Sequence, residues 1–231
     1  MRERWILYSK RADFMRIARE YHINPVTAKV MRNRDVEKEE DIRSYLLGTK
    51  ETLYSPYLMK DAKKAAEMIS RAVSRGAKIA IASDFDNDGI FSSMVLYEAI
   101  IGLGGRAEIY TPHRVLEGYG LNERIVTEAA KAGAQMILTC DNGIAAFEAI
   151  ELAKQMGLTV IVTDHHEVPY EDTPQGRRYM LPKADAIVNP KQEDCGYPYK
   201  NLCGTGVAYK LIELLYDLKG RKKEEVWRWL D

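Results

Sequence analysis

From residue 78 onward the chain alternates short apolar runs with helical stretches, and that alternation leaves few folds open to it. Apolar runs fall at 78–82, 107–110, 136–138, 159–162 and 186–188. Helical spacing of apolar residues marks 91–103, 123–132, 145–156 and 207–218. Short apolar runs bounded by turn residues read as strands buried on both faces. Strands that alternate with helices through short links must be joined by parallel crossovers, which bury both faces of the sheet. The predicted class is therefore α/β: a parallel sheet with helices on both faces.

A different pattern precedes it. Residues 12–48 are helical in spacing, with Phe14, Met15, Ile17 and Ala18 on one stripe and Val26, Val30 and Met31 on another after Pro25. An acidic helix start at 37–41 ends near Gly48, and 49–60 reads as a linker around Pro56. Asp61 then stands where a cap should begin a helix whose Ala65, Met68, Ile69, Ala72 and Val73 form one apolar stripe, stopped by Gly76. The expected division is 1–60, a small helical segment and linker, and 61–231, the main domain.

Composition narrows the setting more than the chemistry. At 46% apolar and 29% charged, the 231 residues suit a globular chain rather than a disordered one. No apolar run approaches the roughly 20 residues of a membrane span, and the start MRERWILYSK lacks the apolar stretch of a signal peptide. Cys140, Cys195 and Cys203 are odd in number and lack CxxC spacing, which points to a reduced, cytoplasmic protein without structural zinc. The zero net charge excludes a uniformly basic surface but not a local basic track offset by acidic ligands. The basic run of Lys219, Arg221, Lys222 and Lys223 reads as a solvated helix end, with contact to nucleic acid as the alternative.

The chemistry collects where the strands end. The run at 78–82 leads into Ser83-Asp84-Phe85-Asp86-Asn87-Asp88-Gly89, the run at 136–138 into Thr139-Cys140-Asp141-Asn142-Gly143, and the run at 159–162 into Thr163-Asp164-His165-His166. In an open parallel sheet the crevice beyond the carboxyl ends of the strands is the ligand site. Five aspartates and two histidines on one rim would repel one another unless a divalent cation neutralised them. Carboxylate and imidazole without thiolate suit Mn2+ or Mg2+, and the number of ligands suits two ions flanking a phosphoryl group. Competing readings fail on detail. An EF-hand loop beginning at Asp84 would need Glu where Val95 stands. The Asp84-Phe85-Asp86 run also resembles the nucleophile motif of haloacid-dehalogenase phosphatases, but Asn87 and the paired histidines do not suit that class. Asp141-Asn142-Gly143 alone could be a turn, and His165-His166 alone a surface loop.

Taken together, these motifs resemble the DHH phosphoesterase superfamily, whose members carry an Asp-rich first motif (here Asp84, Asp86 and Asp88), a second-motif aspartate (Asp141) and an Asp-His-His third motif (Asp164, His165, His166). Within it the chain resembles the RecJ-type exonucleases. The segment at 54–61, Pro112-His113-Arg114, the stretch Glu117-Gly118-Tyr119-Gly120-Leu121-Asn122, Val188-Asn189-Pro190, and the run from Leu202 to Ala208 carry that likeness, which extends from about Trp5 to the last residue. Ser83 stands where these proteins usually have Gly, and Asn87 and Phe91 vary the first motif. RecJ proteins also carry a fourth-motif aspartate beyond the position of Asp231, so the resemblance implies a truncated catalytic domain, weakly active or inactive alone.

The resemblance further implies roles. Asp86, Asp88, Asp141 and His165 are the expected metal ligands, with Asp141 bridging two Mn2+ or Mg2+ ions. Asp84 is a ligand or supports the ligands, Asp164 orients an imidazole, and His166 faces the scissile phosphate. No Ser or Cys stands beside a base, so attack on phosphorus falls to water activated by the cation. His113, Arg114 and Tyr119 are expected to hold phosphate or stack on a base. The N–H groups of Gly204, Thr205 and Gly206 open a helix and are expected to bind a phosphate, unless the glycines serve close packing instead. The implied function is 5′→3′ hydrolysis of single-stranded DNA in recombination and repair, without membrane association, beside helicase or single-strand-binding partners. The alternatives are a phosphodiesterase or phosphatase on short oligoribonucleotides, cyclic dinucleotides or adenosine bisphosphate, and a non-catalytic nucleic-acid scaffold. Inorganic pyrophosphatases open the first motif with His, not with Asp84.

Overall fold

The computed structural model describes residues 4, 6 and 8–230. Trp5, where the resemblance begins, Asp231, and half of the start read for a signal lie outside the described residues. The chain forms two compact units that divide between Leu53 and Tyr54.

The first unit contains helices α1 (Phe14–Glu20), α2 (Pro25–Asn33) and α3 (Glu39–Leu47). Asp13 and Asn24 cap the first two by accepting from Arg16 N and Val26 N, and Pro25 sits in the first turn, where its missing N–H costs nothing.

The second unit holds the sheet. Its strands β1 (Lys78–Ala82), β2 (Arg106–Tyr110), β3 (Ala134–Thr139) and β4 (Thr159–Thr163) precede an exposed hairpin, β5 (Tyr170–Thr173) with β6 (Gly176–Tyr179), and then β7 (Ala186–Val188). The main sheet runs β2-β1-β3-β4-β7, and every pairing in it is parallel. Helices α4 (Ala62–Ser74), α5 (Asn87–Gly102) and α8 (Gly204–Leu218) bury Ile79, Ile81, Leu138 and Ile161 on one face. Helices α6 (Glu123–Lys131) and α7 (Phe147–Gln155) bury Ala80, Ala82, Ile137, Val160 and Val162 on the other. Neighbouring residues of each strand thus enter opposite cores, which is why the strands read as continuous apolar runs.

Several details depart from the sequence reading. Helix α5 begins at Asn87 rather than 91, because the Asp86 carboxylate accepts from Gly89 N at 3.0 Å and caps it. Asp61 takes the N-cap place of α4 in a left-handed conformation, φ 58°, and makes no capping bond; its Oδ2 instead accepts from Ile187 N at 3.0 Å on β7. The hairpin carried no apolar alternation to betray it, since nearly all of its residues are exposed. The stretch from Tyr54, read as the end of a linker, packs within the second unit: the Tyr54 ring meets that of Tyr197 edge-on at 6.0 Å, and Tyr57 OH donates to Asp217 Oδ2.

Candidate functional site

The first strand delivers three carboxylates with three environments. Asp84 is buried and accepts from the N–H of Phe85 at 2.7 Å. Burial, and then the charge of Asp86, raise its pKa above the ordinary carboxylate range. A side chain at Gly89 would collide with the Asp84 carbonyl, its Cβ 2.6 Å away, so only glycine lets α5 start this close to the strand end. Asp86 is exposed and engaged in capping α5. Asp88, in the first turn of α5, accepts at Oδ1 from Thr205 N (2.7 Å) and Thr205 Oγ1 (2.6 Å), and at Oδ2 from Gly204 N (2.6 Å). Burial alone would raise its pKa, but the donors from Thr205 and Gly204 outweigh it and hold it low.

The third strand turns sharply into Asp141, which adopts a left-handed φ of 62°. Asn142 fixes this turn by donating to Ala82 O (3.0 Å) and Cys140 O (2.9 Å) and accepting from Leu121 N (3.0 Å). Asp141 is 2% exposed, and its Oδ1 has no hydrogen-bond donor among the described residues. Burial, followed by the charges of Asp88 and Asp86, raises its pKa to about 8. Gly204 closes over it: a Cβ there would stand 2.6 Å from Asp141 Oδ1.

From β4, the buried Asp164 accepts from Ile144 N at Oδ2 (2.8 Å) and from His165 N, His166 N and His166 Nδ1 at Oδ1 (2.7, 3.0 and 2.7 Å). Burial opposes its ionisation, but the bonds from His166 and Ile144 win and lower its pKa. The same contact with Asp164 raises the pKa of His166. His165 Nε2 lies 2.9 Å from Asp141 Oδ1, outside hydrogen-bond geometry, and 3.6 Å from Asp88 Oδ2.

One atom from each of Asp141, His165 and His166 falls within 4.8 Å of the others. These residues and Asp88 fit a hard or borderline divalent cation: a buried carboxylate oxygen without a donor faces imidazole nitrogen, and no thiolate intrudes. Cys140 is buried, and Cys203 Sγ accepts from Gly206 N. The structure brings Asp88, Asp141 and His165 together, holds His166 Nδ1 against Asp164, and leaves Asp84 and Asp86 to local backbone bonds.

A cleft of about 450 Å³ opens beside this group, lined among others by Asp84, Tyr119, Asp141, Asp164, His166 and Glu167. Tyr119, 74% exposed, packs on Phe85 at 4.8 Å between ring centroids, and Arg114 lies 5.0 Å over the same ring. The sequence reading missed Phe85 as the residue that joins Arg114 and Tyr119; its place between two motif aspartates was the available signal. His113 turns back on its own loop, its Nδ1 accepting from Leu116 N and its N–H donating to Glu117. The phosphate role for Gly204, Thr205 and Gly206 does not fit this geometry. Their N–H groups already donate to Asp88 and to Cys203 Sγ, and Gly204 serves the close approach left open as its alternative. Also missed were Asn189, whose Nδ2 donates to His166 O at 3.0 Å, and Lys191, which pairs with Glu167 at 2.8 Å and whose charge reaches His166.

The family model described as "DHH family, N-terminal domain" matches residues 78–229, the stretch that supplies every carboxylate and imidazole just described. The chain belongs to the DHH family. Among DHH-family and related proteins, it is 38% identical over 213 residues to the single-stranded-DNA-specific exonuclease RecJ of Bacillus subtilis (strain 168), a match covering 92% of this chain and 26% of that protein. It is 39% identical over 155 residues to RecJ of Escherichia coli (strain K12), covering 67% of this chain and 25% of that one. The chain thus spans about a quarter of the length of these curated relatives. A crystal structure of exonuclease RecJ bound to manganese superposes with TM-score 0.63 at 27% identity, covering 74% of this chain and 41% of that one. RecJ from Thermus thermophilus shares the fold, with TM-score 0.66 at 22% identity over 95% of this chain and 30% of that one. The α/β class and the likeness to RecJ expected from the motifs therefore hold. Among the described residues no helix is long and apolar enough to cross a membrane.

Proposed function

We propose that this chain carries the metal-binding site of a phosphodiester hydrolase that degrades single-stranded DNA, with Mn2+ or Mg2+ as cofactor. The observation that carries the reading is the buried Asp141 Oδ1, which lacks a donor and faces His165 Nε2 at 2.9 Å. The manganese-bound RecJ structure, alike at 27% identity, supports the choice of ion. Asp86, Asp88, Asp141 and His165 would hold the divalent cations. When bound, the cation supplies a nucleophile at neutral pH and neutralises charge on the phosphoryl oxygens.

The chain's own residues do the rest. Asp164 fixes the ring of His166 through Nδ1, so that the imidazole stays oriented on the cleft it lines. Arg114, Phe85 and Tyr119 form an exposed cation-and-ring surface on which an unpaired base can stack and a phosphate can rest. The 5′→3′ direction rests on the resemblance to RecJ. A role in recombination and repair, and partnership with helicases or single-strand-binding proteins, follow from a substrate that must first be unpaired, while the cytoplasmic setting rests on three cysteines without CxxC spacing. The division into a helical segment and a catalytic domain belongs to the same proposal, with the boundary read at 60/61 moved to 53/54, where the two compact units divide.

The test is an end-label assay with the full-length gene product carrying this chain. In Mn2+, single-stranded DNA is expected to be degraded at least about tenfold faster than blunt duplex, since stacking needs unpaired bases. Equal rates on the two would refute the single-strand reading, and turnover confined to dinucleotides would select the small-substrate alternative.

A further inference from the structure

Asp88 belongs to α5, yet both of its carboxylate oxygens are held by another helix. Oδ1 accepts from Thr205 N at 2.7 Å and from the Thr205 hydroxyl at 2.6 Å; Oδ2 accepts from Gly204 N at 2.6 Å. The hydroxyl has one proton to give. Ser92 Oγ already donates to the Asp88 carbonyl at 2.5 Å, which leaves the Thr205 proton to the carboxylate rather than to that carbonyl 3.2 Å away. Ser92 Oγ also lies 3.3 Å from Thr205 Oγ1 and brackets it from the α5 side.

The two oxygens are therefore unequal. Oδ1 serves two donors, which use the lone pairs a carboxylate oxygen offers in its plane. Oδ2 takes one backbone N–H, that of Gly204, and lies 3.6 Å from His165 Nε2, on the side of the group formed by His165 and Asp141. Two backbone N–H groups leave the carboxylate room to rock about its Cβ–Cγ bond. The Thr205 hydroxyl, a third donor from the side chain, holds its plane. Gly204 adds a second constraint from the same turn, because its Cα rests against Asp141.

We propose that Thr205 is a positioning residue: its hydroxyl fixes the plane of the Asp88 carboxylate, keeps one oxygen turned toward the cation, and so sets the affinity of the site. The proposal rests on the divalent-cation reading above. Partners that orient a metal ligand without touching the metal commonly change affinity about 10–100-fold when removed.

The experiment is calorimetric titration of Mn2+ into wild type, Thr205→Val, Thr205→Ala and Thr205→Ser, with the metal-free melting temperature of each recorded beside it. Val and Ala are expected to weaken Mn2+ binding about tenfold. Ser, which keeps the donor, is expected to restore affinity to within about twofold of wild type. A purely structural role would lower melting temperature while leaving the affinity of the folded protein unchanged. If Val does not fold, Ala carries the same comparison without the added methyl. Wild-type affinity in the variants lacking the hydroxyl would overturn the positioning role. Asp141→Asn, titrated in parallel, separates the two levels. If it loses Mn2+ while Val and Ala do not, only the role of Thr205 falls. If it binds Mn2+ like wild type, the cation reading falls and takes this proposal with it.

Discussion

Two places in the second unit bury charge, and they do so in opposite ways. Within α8, Lys210 and Glu213 are 3% and 8% exposed and bond to each other at 2.6 Å, while Lys210 Nζ also donates to Tyr54 O at 2.9 Å. That pair is complete: each charge finds its opposite inside the chain. At the strand ends, Asp141 is equally buried but its Oδ1 has no donor, and burial beside Asp88 and Asp86 drives its pKa up to about 8. A self-satisfied buried pair is a structural fastener, whereas a buried carboxylate left incomplete by its own chain marks a place where something cationic belongs.

That contrast can be broken by substitution. The largest effect is expected from Lys210→Met, which leaves Glu213 buried without a counter-charge and frees the Tyr54 carbonyl. Stability should fall by about 3–5 kcal/mol in urea unfolding, and a loss below about 1 kcal/mol would mean that the pair is not the fastener described. Asp141→Asn should act with the opposite sign. Asn tolerates the left-handed backbone and removes a carboxyl that folding must keep protonated below about pH 8 or bury as a charge above it, so the metal-free protein should gain about 1 kcal/mol while Mn2+ binding weakens more than about 100-fold. Destabilisation by this substitution in the absence of metal would show that the carboxylate is satisfied after all. The smallest effect concerns coupling. Lys210 stands six residues beyond Gly204, about 9 Å along the helix. The stability changes of the two substitutions should add to within about 0.5 kcal/mol in the double variant; a larger coupling would merge the two places into one network.

How much of this could be read beforehand follows the range of the forces involved. The strands at 78–82 and 186–188 were legible to the residue, because each residue buried in one core or the other had to be apolar. The rim was legible because Asp84, Asp141 and Asp164 each stand two or three residues beyond the end of an apolar run. Illegible were the interactions that join segments far apart in sequence. Nothing local to Asp88 announces Thr205, a partner 117 residues away. Asp61 reads as a helix cap until the left-handed turn sends its carboxylate to Ile187. The hairpin escaped because its order rests on cross-strand pairs, Tyr170 with Tyr179 and Glu171 with Arg178, rather than on a buried face.

That hairpin bears on how such a chain can change length. Its neck is closed where Met180 N donates to Pro169 O at 2.7 Å. On the near side Val168 is buried in the core, and His166 is held by Asp164 and Asn189. On the far side β7 is fixed by its pairing with β4 and by Asp61. Residues 170–179 therefore hang from a clamp whose two jaws are anchored independently of what lies between them. Because the entropy of closing a loop grows only slowly with its length, residues can be inserted or deleted there at little cost, and the spacing between the paired histidines and the last strand is free to drift while the histidines themselves stay in place.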